Sequence, residues 1–270
     1  MQPGDLYHLL AIVMLLAASV CAIQIRAQRP DAAAKRRVDF CLGMLCLIAW
    51  LGVVASDLLP SRLSWSDSLP LHICDFAGIF AALSLLTNWR WARSLSLFVG
   101  LGLSALAFVW PVVTKGPWRP DYWVYFGGHG AIVLAAIYDL TARGFRTTAA
   151  DLRVAVTSIP IYAIIVVPLD AGLGVNYGYL GDVSTSARPI FEAFGPWPYR
   201  IPSLLLVAAS IMCGLHLLTK VRRAQPWQTA PEPVTATTGR PSRARSPLPY
   251  VVTAPGPAWR GHGAGADRLS

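Results

Sequence analysis

The stretch 69-LPLHICDFAGIFAALSLL-86 decides the architecture, because it is apolar enough for a membrane helix and opens with reactive side chains. His72, Cys74 and Asp75 all fall near its start. Ionisable groups inside a membrane helix are costly, and they commonly mark a substrate path, a pairing or a catalytic group. A histidine, a cysteine and a carboxylate together also support nucleophilic or metal chemistry. The segment therefore predicts both a membrane helix and a functional site.

The composition of the whole chain also predicts a membrane protein. Its 270 residues are 54% hydrophobic and its mean hydropathy is +0.48, which excludes an ordinary soluble domain. A helix that rises 1.5 Å per residue crosses a hydrocarbon core of about 30 Å in roughly 20 residues. Seven apolar stretches of 18–22 residues meet this requirement: 6–25, 38–59, 69–86, 92–113, 123–140, 154–173 and 201–218.

The predicted fold class is therefore all-α, a polytopic membrane bundle of about seven helices. A count of six is the alternative, because Gly127, Gly128 and His129 interrupt the fifth stretch. The first stretch lacks a basic leader and is followed by Arg26 and Arg29, so we expect a retained helix and not a signal peptide.

The basic residues predict the orientation of the bundle. Thirteen Lys and Arg residues fall after the first, third, fifth and seventh stretches, whereas five fall in the alternate loops. By the positive-inside rule, the N-terminus faces outward and the C-terminus faces the cytoplasm of a multi-pass protein of the cell membrane. Topology and a basic tail then explain the net charge of +9, and no nucleic-acid binding is expected.

The chain is predicted to divide near residue 222. Residues 1–222 form the transmembrane bundle, whereas 223–270 are rich in Pro, Thr and Arg. Such a composition cannot bury a core and is typical of a disordered cytoplasmic tail. The five cysteines all fall inside predicted helices, and their spacing resembles neither a disulfide framework nor a zinc ribbon.

Depth and angular position suggest which groups can meet. If the third helix starts near Leu69, Cys74 lies about 7–8 Å into it, and His129 lies at a similar depth in the fifth stretch. At about 100° per residue, His72 and Asp75 share a face, while Cys74 lies about 160° from His72. A base for Cys74 must therefore come from another helix, and His129 is the candidate. The glycines around it, at 127, 128 and 130, would let another helix or a lipid chain approach closely.

Other polar groups also collect at the predicted outer side. The sixth stretch ends in a carboxylate there, and the connection from 174 to 200 is long enough to be a lid or binding loop. The inner half offers only Asp139 and His216, near helix ends, where each is expected to be an interfacial residue. The polar site is therefore predicted to be one-sided. The candidate substrate-binding residues on the outer side are Asp170, Asn176, Tyr177 and Trp197.

The segment 69–75 resembles the signature of the YwaF-like integral membrane proteins of bacteria. His129-Gly130, the stretch 176–180 and the turn 195–198 follow in a similar order, so the resemblance covers about residues 1–220. Those proteins are similar to a eukaryotic family, the transmembrane protein 164 acyltransferases. That family includes an enzyme that remodels ether phospholipids and is thought to use a Cys nucleophile and a His. The resemblance implies Cys74 as the nucleophile and His129 as its base.

Three functions compete at this point. The leading hypothesis is a lipid acyltransferase or acyl hydrolase without a cofactor, acting on membrane lipids. Its predicted catalytic residues are Cys74 and His129, which carry out the chemistry, and His72 and Asp75, which position the head group or orient a second proton carrier. The second is a zinc-dependent lipid hydrolase that uses His8 together with His72, Asp75 and His129. The third is a non-enzymatic carrier or receptor for a small ligand. The oligomeric state is left open.

Overall fold

The computed structural model describes residues 3–61, 63–64, 68–111, 116–182 and 194–221. All regular secondary structure among these residues is helical, which confirms the predicted class. The predicted tail, 223–270, lies outside them, so the boundary near 222 stays a prediction. The described helices are α1 (Pro3–Ala27), α2 (Ala32–Asp57), α3 (Ile73–Thr87), α4 (Arg90–Leu95), α5 (Pro120–Thr141), α6 (Ala149–Leu173) and α7 (Arg200–Val221).

The surface of the bundle is as apolar as a membrane requires. Six helical segments are long and apolar enough to cross it. Five belong to α1, α2, α5, α6 and α7, and the sixth is the run 90–108 that begins with α4. Large aliphatic side chains point away from the protein, and Ile164 and Leu206 are 73% and 69% exposed. The 15 residues of α3 rise only about 22 Å, short of a full crossing. The number of crossings and their orientation therefore stay predictions.

Side-chain caps fix two helix starts that the apolar pattern misplaced. The Asp31 carboxylate accepts a hydrogen bond from the Ala34 backbone N–H at 2.6 Å, so α2 begins at Ala32 and not at 38. The basic run 35–37 therefore belongs to α2 and not to a loop. Thr148 and Asp151 form a capping box at the start of α6. Charged residues extend both helices beyond their apolar stretches because caps, and not hydropathy, set the ends.

The fourth apolar stretch is not one regular helix. After Leu95 the chain continues as a π-helical turn over Ser96–Leu101 and a 3-10 turn over Ser104–Phe108. The Gly102 backbone N–H donates to the Leu97 carbonyl at 3.2 Å, and a Cβ at Gly102 would collide with the Phe98 carbonyl oxygen. Glycine therefore permits the change of helix type within the predicted fourth helix, whose last residues, 112–113, lie outside the described part of the chain.

The glycines of the fifth stretch do not interrupt it. α5 runs unbroken through Gly127 and Gly128, which removes the reason for expecting six helices. A Cβ at Gly128 would lie 2.8 Å from Val53 Cγ2, so this glycine allows α2 to approach, as predicted. α3 packs against both α2 and α5 at the centre of the bundle.

The end of the bundle opposite the reactive segment is also polar, and the predicted one-sidedness is wrong. Tyr138 Oη donates to Asp39 at 2.6 Å, and Arg26 Nε donates to the same carboxylate at 2.9 Å. Arg143 lies between Asp39 and Asp139, at 3.5 and 3.2 Å. Burial lowers the pKa of Arg143, and the two carboxylates oppose that shift.

Two further contacts extend this polar end. Arg93 Nε pairs with Asp139 at 2.9 Å, and His216 Nδ1 is hydrogen-bonded to Thr147 Oγ1 at 2.6 Å. Asp139 and His216 are buried partners in networks, and not the interfacial residues that were expected. The partners come from distant parts of the chain, so the apolar pattern could not reveal them. This end of the bundle is held together by paired charges.

Candidate active site

The reactive segment starts a helix and does not lie inside one. α3 begins at Ile73, and His72 is its N-cap residue in an extended conformation. Asp75 Oδ2 accepts a hydrogen bond from the His72 backbone N–H at 2.9 Å, as the third helical residue does in a capping box. The predicted start near Leu69 is therefore wrong.

This start changes the environment of Cys74. The cysteine is the second residue of α3 and therefore belongs to its first turn. The positive end of the helix dipole therefore acts on the sulfur directly. The 160° separation from His72 does not apply because His72 precedes the helix.

Cys74, Asp75 and His129 line one cavity between α2, α3 and α5, with a volume of about 70 Å³. An engineered cavity of about 150 Å³ holds a benzene molecule, so this one accepts a smaller group. The rest of its lining is largely apolar, with Trp50 and Val53 contributed by α2. The structure thus brings together three of the four predicted catalytic residues, from two helices.

The hydrogen bond of His129 fixes its tautomer. Nδ1 lies 2.9 Å from the Tyr125 carbonyl oxygen, one turn earlier in α5. A carbonyl oxygen only accepts, so Nδ1 carries the proton and Nε2 carries the lone pair. The Tyr125 ring packs on the imidazole with centroids 4.4 Å apart. His129 is therefore held in the form that can take a proton through Nε2.

The contribution of α2 to the cavity was missed. A Cβ at Gly78 would lie 2.6 Å from Cδ1 of Trp50, so the indole occupies space that any larger residue would fill. Cys46 also lines the cavity, and its thiol donates to the Ala131 carbonyl at 3.6 Å. The available signal was Gly78, one helical turn after Cys74, because a small residue marks a close helix contact.

His72, the fourth predicted catalytic residue, lies beside the cavity and does not line it. The ring of His72 packs against that of Tyr177, with centroids 4.8 Å apart. The Tyr177 backbone N–H donates to Asp170 Oδ1 at 2.9 Å, and Tyr162 Oη donates to the Leu71 carbonyl at 2.8 Å. Non-helical backbone within a membrane must be shielded from lipid by other parts of the protein, because its polar groups need partners. The contacts of Tyr162, Asp170 and Tyr177 therefore support the segment that leads into α3.

Asn176 and Trp197 brace the same loop and do not line the cavity. Asn176 Oδ1 accepts from the Gly181 backbone N–H at 2.9 Å, and Trp197 Nε1 donates to the Leu180 carbonyl at 3.0 Å. Arg200 donates through Nη2 to the Gly181 carbonyl. Arg200 is one of the five basic residues of the alternate loops, and this contact was not predicted. Substrate binding by these loop residues stays a prediction.

The zinc hypothesis lacks a donor set in the described part of the chain. His8 Nε2 donates to the Phe108 carbonyl at 2.8 Å, and its ring packs on Phe126. Among the described residues, no three His, Cys, Asp or Glu side chains are grouped so that they could hold a metal ion. His8, His72, Asp75 and His129 therefore do not form the predicted site.

A family model described as the TMEM164 family matches residues 4–219, from α1 to the last turn of α7. The chain belongs to the TMEM164 family. This TMEM164 protein is therefore an integral, multi-pass membrane protein, as its apolar helices also indicate. The match spans Cys74 and His129 and confirms the family relationship inferred from the sequence motifs. The chain matched no curated protein and no solved structure.

Proposed function

We propose that this TMEM164 protein is a cysteine-dependent lipid acyltransferase or acyl hydrolase of the cell membrane. The observation that carries the proposal is the shared cavity of Cys74 and His129, with Nε2 of His129 as the nitrogen that bears the lone pair. A nucleophile and a base from different helices, with the base oriented by a third group, are the usual components of covalent acyl transfer.

In the first half-reaction, Cys74 Sγ attacks the carbonyl carbon of a lipid ester. Apolar burial disfavours a free thiolate, so the thiol proton passes to His129 Nε2 as the S–C bond forms. The ester C–O bond then breaks, and the leaving lysolipid oxygen takes the proton back from His129. The products are a lysolipid and an acyl thioester on Cys74.

In the second half-reaction, a hydroxyl group attacks the thioester. His129 Nε2 removes the proton of that hydroxyl, and the departing sulfur of Cys74 recovers it. A lysolipid acceptor gives acyl transfer, whereas water gives hydrolysis. Both outcomes regenerate the same thiol, so the acceptor alone decides which reaction is observed.

The size and lining of the cavity support a membrane lipid as the substrate. A volume of about 70 Å³ accommodates the ester group and only the first part of an acyl chain. The remainder must lie outside, along the apolar surface of the helices. His72 and Asp75 act as positioning residues for the head group, and the loop that contains Asn176 and Tyr177 covers the site.

The test uses the purified protein in vesicles that contain a phospholipid with a labelled acyl chain and an unlabelled lysolipid. Cys74→Ala and His129→Gln should each abolish the formation of labelled acceptor and labelled fatty acid. Cys213→Ala is the matched control, because this thiol is exposed on α7, and it should retain wild-type activity. Wild-type turnover by Cys74→Ala would rule out the proposal.

The same vesicles distinguish the non-enzymatic alternative. A carrier or receptor would bind the labelled lipid in both the wild type and Cys74→Ala without releasing a product. An enzyme releases product only when the thiol is present. The comparison therefore separates the two functions, whichever lipid is the natural substrate.

A further inference from the structure

Trp50 lies on α2 with its indole pressed against the backbone of α3. A Cβ at Gly78 would lie 2.6 Å from Trp50 Cδ1 and 3.2 Å from its Cγ. Gly78 follows Cys74 by one helical turn, so the two positions share a face of α3. Trp50 and Cys74 both line the cavity that also contains His129. The indole is therefore held on the same side of α3 as the reactive sulfur.

The indole nitrogen of Trp50 is an unusual feature of the cavity lining. Nε1 is bonded to Cδ1, the atom packed against Gly78, and it is buried without a hydrogen-bond partner among the described residues. Buried donors are nearly always paired, and one that is not requires an explanation. Trp50 lines a small cavity, so a ligand bound there could supply the acceptor that its N–H group lacks.

We infer that the Trp50 Nε1–H group donates to the carbonyl oxygen of the acyl substrate while Cys74 attacks it. This inference rests on the proposed acyl-transfer function. When Sγ adds to the carbonyl carbon, the π electron pair moves onto oxygen, and this oxyanion accepts the indole hydrogen bond. When the C–O bond breaks, the pair returns and the carbonyl is restored. The indole keeps its proton throughout.

The chemistry of tryptophan suits this role. Its indole nitrogen is a donor only, so it cannot compete with His129 for the thiol proton. A fixed donor in a water-poor cavity stabilises developing charge more strongly than one in water. The Trp50 indole would thus be an oxyanion-hole donor supplied by α2.

Trp50→Phe tests this inference, because it removes the N–H group and keeps an aromatic ring against Gly78. Two reactions of Cys74 are compared by mass spectrometry of the peptide that contains it. Acylation by a p-nitrophenyl ester develops an oxyanion, whereas alkylation by iodoacetamide is a direct displacement that develops none. We expect acylation to slow roughly 100-fold and alkylation to be unchanged. Trp110→Phe, at an exposed position outside the cavity, is the matched control and should leave both rates unchanged.

The other outcomes overturn the inference in distinguishable ways. Equal acylation rates in Trp50→Phe and the wild type would show that the N–H group makes no catalytic contact, while the proposed function stands. A parallel fall of both rates would show that Trp50 only shapes access to the thiol. If the wild-type Cys74 is alkylated but never acylated, the proposed function itself fails, and the role of Trp50 fails with it.

Discussion

Replacement of Gly78 by alanine tests the packing on which the cavity depends. The added Cβ would lie 2.6 Å from Trp50 Cδ1, whereas carbon atoms in contact prefer about 3.5–4.0 Å. The indole must therefore move by about 1 Å, and the obstacle is a rigid ring, not a flexible chain end. Overpacking of this kind costs about 1–3 kcal/mol, which lowers the Tm of a bundle this size by roughly 2–12 °C.

The same displacement should impair catalysis, because a 1 Å misplacement near reacting groups can cost about 100-fold in rate. Thermal unfolding in detergent and acyl transfer in vesicles measure the two effects separately. Gly127→Ala is the matched control, since a Cβ there meets no atom within 4 Å, and it should leave both quantities near the wild type. A fully stable and active Gly78→Ala protein would refute the packing argument, as would equal damage from Gly127→Ala.

Substitutions at three further positions test individual contacts. Asp75→Asn keeps an oxygen that can accept the hydrogen bond from the His72 backbone N–H, so it should keep most activity. Asp75→Ala removes this cap and should lower the stability by about 1 kcal/mol. An Asp75→Asn protein as inactive as Cys74→Ala would mean that the carboxylate carries protons. Asp39→Ala leaves buried donors unpaired and should cost about 3–5 kcal/mol in thermal unfolding; a cost below about 1 kcal/mol would contradict the network described above. Asp170→Ala removes the acceptor of the Tyr177 backbone N–H, so it should lower the free energy of unfolding by about 1–3 kcal/mol and open the loop to proteolysis. An unchanged rate of cleavage would argue against a bracing role of Asp170.

The class of the fold follows from hydropathy alone, but the helix ends do not. Backbone N–H and C=O groups in lipid have no water to bond with, so they must pair within the chain. A long apolar run therefore predicts a membrane helix. The start of α3 depends instead on one carboxylate: the spacing of His72 and Asp75 fits an N-cap and third helical position, yet Pro70 also fits a first turn. Two local rules conflicted, and the side-chain hydrogen bond decided between them.

The candidate site was predictable only where residue types carry chemistry. Cys74 and His129 were identified because a thiol and an imidazole in apolar stretches need a reason to be there. Trp50 was missed, since an aromatic residue in a membrane helix is usually packing or an interfacial group. Its importance depends on contact with Gly78 on another helix. The pairing of Asp39 with Tyr138, 99 positions away, was hidden for the same reason.

The most direct test of the central claim is the mass of the Cys74 peptide after the protein is incubated with phospholipid and no acceptor. The account predicts an added acyl group on Cys74 that hydroxylamine removes, as expected for a thioester, and that does not form in His129→Gln. Lipid turnover by the wild type with an acyl group on another residue, or with no acyl-enzyme at all, would contradict it.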